Sequence, residues 1–167
     1  MGKRREARER AVQFLFQYDL NHSDDLDDAV ERFWECHRLA AVHDEKADAT
    51  WSRPFDLPVA TTAEESLRTF ADPLIRGVLE CQSELDELIR KHAKNWRLER
   101  MAVVDRNVLR LAIYEMLHRE DIPPVVSINE AVDIAKRFST EDSGKFVNGI
   151  LDKVKSDLMR PARIVTT

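Results

Sequence analysis

The sequence predicts an all-α fold, a compact bundle of about seven helices, and three observations carry that reading. Apolar residues recur at three- and four-residue spacing along most of the chain. Only four glycines and six prolines punctuate 167 residues, too few for a loop-rich or repeat-built protein. With 43% hydrophobic residues, the chain can bury one substantial core and leaves little room for two independent domains.

Ala7, Ala11, Phe14, Leu15 and Tyr18 place one apolar face on a first helix over 3–20. Leu26, Val30, Phe33 and Trp34 form a second stripe within 19–35, a stretch whose seven acids and one base are expected to face water. From Cys36 to Ala63 the pattern weakens, and Pro54 and Pro58 sit beside Trp51 and Phe55. A long connection with at most a short helical turn, held down by Trp51, Phe55 or both, is expected there. Periodicity returns with Leu67, Phe70, Leu74, Val78, Leu85 and Ile89, and Pro73 suits the first turn of a helix over about 72–94. Trp96, Leu98 and Met101 occupy a tight connection or short helix over 95–102.

Asp105 reads as the cap of the next helix, which carries Val108, Leu109, Ala112 and Met116 and ends before Pro123 and Pro124. Ser127 and Glu130 have the spacing of a capping box, ahead of the apolar side Ala131, Ile134, Ala135 and Phe138. After a turn at 140–142 the last helix presents Phe146, Val147, Ile150, Leu151, Val154 and Leu158. Pro161 limits it, and 161–167 reads as a frayed tail.

Charge is distributed unevenly. Residues 1–18 hold five positive and two negative side chains, so they carry +3 on a chain of net charge −5, and the rest carries −8. Lys3, Arg4, Arg5 and Arg8 can each reach a phosphate oxygen, and a guanidinium can stack on an unpaired base. The competing reading is a solvated helix start balanced by Glu6 and Glu9. Positive charge near a helix N-terminus opposes the helix dipole, which tilts the balance toward an anionic partner. The acidic remainder confines such contact to a local patch and makes it weaken with salt. On periodicity alone Phe146 reads as core; if exposed, it can stack on a base beside Lys145 and Asn148.

Other function classes find little support. No apolar run approaches the roughly 18 residues of a membrane span, and no secretory signal precedes the helices, so a cytoplasmic location is expected. Cys36 and Cys81 lie 45 positions apart and read as free thiols, and the five histidines fit no metal motif. No glycine-rich phosphate loop and no catalytic constellation is legible. The expectation is therefore a non-enzyme with no metal and no cofactor.

Four strings carry a family resemblance in order: REARERAVQFLFQYDL at 5–20, NWRLERMAVVDRNVLRLAIYEML at 95–117, INEAVDIAKRF at 128–138 and EDSGKFVNGILDKV at 141–154. The chain resembles the NusB family of bacterial transcription antitermination factors over about 1–35 and 66–158. The stretch 36–65 looks longer than the family's usual connection. The resemblance implies a bundle in two packed halves that binds single-stranded, boxA-like nascent RNA together with the ribosomal protein NusE. It also implies association with the RNA polymerase elongation complex in support of ribosomal RNA transcription. By the same resemblance Lys3, Arg4, Arg5, Arg8, Asp142, Lys145 and Phe146 match RNA-binding positions, and Phe16, Glu99 and Asp105 match positions at or near the NusE interface. Glu6 departs from the longer arginine run of some relatives, which implies greater dependence of RNA affinity on the partner. The alternatives are a non-catalytic protein-interaction or homodimeric helical module, since some members dimerise, and an accessory domain for an RNA methyltransferase. The second alternative is expected to require a catalytic domain supplied by a separate polypeptide, because 167 residues leave little space for one.

Overall fold

The computed structural model describes residues 2–45 and 59–159. Among these are seven α-helices, one short 3-10 turn and no strand, in agreement with the all-α expectation. The helices are α1 (Lys3–Leu20), α2 (Leu26–Glu45), α3 (Thr62–Glu80), α4 (Gln82–His92), α5 (Val103–His118), α6 (Pro124–Phe138) and α7 (Glu141–Met159), and the 3-10 turn covers Leu98–Arg100. No described helix is long and apolar enough to cross a membrane. The chain divides into two compact units, Met1–Asp72 and Pro73–Thr167.

The first unit is built on aromatic packing. Ala7, Ala11, Phe14 and Leu15 of α1 and Val30, Phe33 and Trp34 of α2 are buried, as the apolar spacing requires. Phe14 meets Phe33 edge-on at 5.5 Å between ring centres. The Trp34 indole N–H donates to Asp72 Oδ1 at 3.0 Å, so this large side chain is buried without leaving its donor unpaired. Arg68 clamps the same corner, donating to Asp72 at 3.3 Å and pairing with Glu31. Asp25 and Thr61 begin α2 and α3 by accepting the backbone N–H groups of Asp28 and Glu64 at 3.0 and 3.2 Å.

In the second unit α5 carries Val108, Leu109, Leu111, Ala112 and Ile113 into the core, opposite Ile134 and Ala135 of α6 and Val147, Ile150 and Leu151 of α7. A buried ion pair ties α4 to α5: Arg110 Nε and Nη2 donate to the two oxygens of Asp86 at 2.7 and 3.1 Å, and Nη1 donates to Asn107. Gly77 permits a close approach, because a Cβ there would lie 2.1 Å from the Tyr114 ring.

Five local expectations are corrected. The helix expected over 72–94 is two helices, α3 and α4, separated at Cys81, whose φ of −98° and ψ of 11° leave the helical well. Pro73 sits inside α3, not in a first turn. Its lost amide hydrogen bond is offset by the buried run Ala71, Leu74, Ile75 and Val78 on either side. The weak pattern that begins at Cys36 conceals ten further residues of α2, 36–45. The part of the expected connection at 46–58, with Trp51, Pro54, Phe55 and Pro58, lies outside the described residues, as do 160–167 with the expected tail.

Ser127 is not a cap: α6 already begins at Pro124, and the Ser127 hydroxyl donates to the buried Glu115 carboxylate at 2.7 Å. A tertiary acceptor on α5 outcompetes the local capping box, because a buried carboxylate without a donor costs more than an uncapped helix start. Asp105 likewise lies inside α5, which starts at Val103 after Ala102. Its carboxylate serves a tertiary contact described below.

Candidate nucleic-acid and partner interface

Each unit presents one group of candidate residues. In the first, α1 begins directly after Gly2, with no side-chain cap, and its first turns carry the basic cluster. Lys3 and Arg4 are exposed and Arg5 is half-buried. Arg8 is only 4% exposed. The guanidinium groups of Arg4 and Arg8 both lie over the Phe70 ring of α3, at 5.4 and 5.1 Å from its centre. Phe70 thus gathers the cations on one ring, and Arg8 is held within the fold while Lys3 and Arg4 remain at the surface. Phe16, further along α1, is half-buried.

In the second unit a cavity of about 290 Å³ opens between the start of α5, the start of α7 and the segment preceding α5. Its walls are Trp96, Met101, Asp105, Thr140, Ser143 and Phe146, with Arg100, Ala102 and Asp142 completing them. Leu98 and Met101 are buried and anchor the 3-10 turn, which leaves Trp96 59% exposed. The Trp96 ring meets Phe146 edge-on, 5.9 Å between centres and 73° between planes. Phe146 is half-buried in this corner, neither core nor fully solvated.

A short relay of hydroxyl groups holds the polar wall. Thr140 caps α7: its Oγ1 accepts the Ser143 backbone N–H at 3.0 Å. Ser143 Oγ lies 2.9 Å from Ser139 Oγ and donates to Asp105 Oδ2 at 3.0 Å. Asp105 is 7% exposed, and its other oxygen, Oδ1, has no hydrogen-bond partner among the described residues. Burial pushes the Asp105 carboxyl above the usual carboxylate range, and the hydrogen bonds from Ser143 and Ser139 oppose that rise. The result is a desolvated acceptor with one oxygen unpaired, in a cavity that two aromatic rings also line. It suits a cationic or N–H-donating group of matching size.

The remaining sequence candidates flank this cavity. Asp142 and Lys145 are exposed in the first turns of α7. Glu99 is exposed, pairs with Arg90 at 3.3 Å, and is held below the usual carboxylate range by its own backbone N–H and by Arg90. Of the second-unit candidates, the structure brings Asp105, Asp142 and Phe146 to one cavity. Sequence reasoning missed Phe70, Trp96, Thr140 and Ser143. Thr140 carried a usable signal, a capping residue followed by two acids, whereas Trp96 reads like any aromatic in a turn.

Comparison with known proteins places these residues in context. A profile described as the NusB family matches residues 5–156. The transcription antitermination protein NusB of Bacillus subtilis strain 168 is 44% identical over 156 residues, covering 93% of this chain and 97% of that protein. The NusB of Desulforapulum autotrophicum is 41% identical over 155 residues, covering 93% and 92%. Among solved structures, T. maritima NusB is 39% identical with a TM-score of 0.67, covering 92% of this chain and 91% of that one. The NusB chain of a complex of antitermination factors NusB and NusE with dsRNA is 27% identical with a TM-score of 0.65, covering 94% and 98%.

Proposed function

The chain belongs to the NusB family, and on that premise we propose that it is a transcription antitermination factor that binds boxA-like nascent RNA together with NusE. The observation that carries the reading is the correspondence of 93% of the chain to antitermination proteins at above 40% identity. A relative solved with NusE and RNA supports the two partners. The work is non-catalytic and belongs in the cytoplasm, where nascent RNA and the polymerase are found. Binding tethers the transcript to the RNA polymerase elongation complex and raises its local concentration there.

Lys3, Arg4 and Arg5 supply phosphate contacts from the first unit. Arg8, buried against Phe70, positions its neighbours and contributes charge more than a direct contact. Phe146 stacks on a base, with Lys145 on the backbone and Asp142 beside them. Phe16, Glu99 and Asp105 serve the protein partner, and the unpaired, buried oxygen of Asp105 receives a basic or N–H-donating group from it on docking.

The test is binding of the purified chain to boxA RNA and to a scrambled strand of equal length, with and without NusE, at two salt concentrations. Selective, partner-enhanced and salt-weakened binding is the expected result. Absence of selectivity even with NusE overturns the RNA reading and leaves an interaction module.

A further inference from the structure

At the opposite end of α5 from Asp105, thirteen residues and so about 20 Å along the helix, three side chains of different chemistry converge. Cys81 occupies the break between α3 and α4, Glu84 lies in the first turn of α4, and His118 closes α5. One ligand atom from each, a thiol sulfur, a carboxylate oxygen and an imidazole nitrogen, lies within 4.8 Å of the other two. We propose that Cys81, Glu84 and His118 bind a zinc ion that clips the α3–α4 corner to the end of α5.

The geometry fits a tetrahedral ion. Cys81 Sγ and His118 Nε2 are 3.8 Å apart. Zinc–sulfur and zinc–nitrogen bonds at a tetrahedral angle hold such a pair about 3.5 Å apart. Cys81 is half-buried and anchored by the backbone break. Glu84 and His118 are exposed, so small rotations close the remaining gap without moving a helix. Thiolate, imidazole and carboxylate are all zinc ligands, and the thiolate disfavours magnesium and calcium.

The surroundings favour a dication. The carboxylates of Glu84 and Glu80 both act on Cys81, a negative setting that a bound dication relieves. The Tyr114 ring lies 4.9 Å from the His118 ring, restricting the imidazole. Three protein ligands leave the fourth position to water. On binding, the thiol proton passes to solvent and a zinc–sulfur bond forms, with no change of oxidation state. Cysteine and histidine spacing gave no hint of this site, because its ligands are 37 residues apart at the widest and meet only through the packing of α4 on α5.

Cobalt(II) titration of the full chain, kept reduced with a phosphine, tests the site. One equivalent is expected to produce thiolate-to-cobalt charge-transfer absorption. That band is expected to vanish in Cys81→Ser and in His118→Ala, to persist in Cys36→Ser, and to require at least about tenfold more cobalt in Glu84→Gln. Zinc is expected to displace the cobalt and to raise the melting temperature of the unaltered chain but not of Cys81→Ser. Circular dichroism establishes that each variant is folded, and the exposed His118 provides an answer should Cys81→Ser not fold. No absorption from the unaltered chain, or absorption that survives Cys81→Ser or His118→Ala, overturns the proposal.

Discussion

Asp105 shows how a single buried carboxylate couples stability to binding. Its folded pKa is raised, so ionisation disfavours the folded state at neutral pH, and the penalty fades as pH falls toward the ordinary value of 3.8. Asp105→Asn is therefore expected to be more stable than the unaltered chain at pH 7, with the advantage shrinking on acidification. Urea denaturation of both chains along that range measures it. The same substitution is expected to weaken NusE binding by tenfold or more, because a charge-assisted contact is lost. In the proposed RNA surface, the role of Phe146 rests on stacking area instead of charge. Half-buried against Trp96, it can be truncated without opening a core cavity. Phe146→Ala should keep its helical circular dichroism yet lose about 1–3 kcal/mol of RNA affinity, the worth of one base stacked on an aromatic ring. An unchanged affinity would remove Phe146 from the RNA surface.

Helix ends and helix pairs set the next scale. The single hydroxyl of Thr140 begins α7 and also orients Ser143 toward Asp105. Thr140→Ala should lower stability by about 1 kcal/mol. It should also weaken NusE binding, whereas Thr140→Ser should restore both, as parallel melting and binding measurements would reveal. The link between α4 and α5 rests on a buried charge. Asp86→Ala leaves the Arg110 guanidinium buried without its carboxylate, an expected loss of about 3–5 kcal/mol by chemical denaturation. Pairing it with Arg110→Met should recover a large share, since the uncompensated charge is then gone. A double-mutant cycle that is merely additive would show the pair to be energetically independent.

For the whole molecule, the relevant quantity is a small positive patch on a negative background. The chain carries −5 overall but +3 in its first 18 residues. The logarithm of RNA affinity should therefore fall linearly with the logarithm of salt concentration. Replacing Lys3 and Arg4 with glutamine should reduce the slope by about 0.7 for each phosphate contact removed. Arg8→Gln should instead lower thermal stability more than it changes that slope, because Arg8 is buried over Phe70. A salt titration of all three variants separates the surface cations from the structural one.

Helical periodicity by itself determined the all-α class and the positions of most helices, because a 3.6-residue repeat of apolar side chains is a local property of the chain. The basic start of α1 and its candidate residues were legible for the same reason. Tertiary structure alone decided what the polar residues do. Ser127 and Asp105 had the local grammar of caps, yet each is claimed by a partner from another helix, Glu115 and Ser143. Pro73 had the grammar of a helix start, and burial on both sides carried α3 through it. Arg8 became structural through Phe70, and Cys81 met His118 across 37 residues. Local patterns report which face of a helix is apolar. Which polar group satisfies which other depends on contacts between segments far apart in the chain, and inside a desolvated core those contacts outweigh the local preferences.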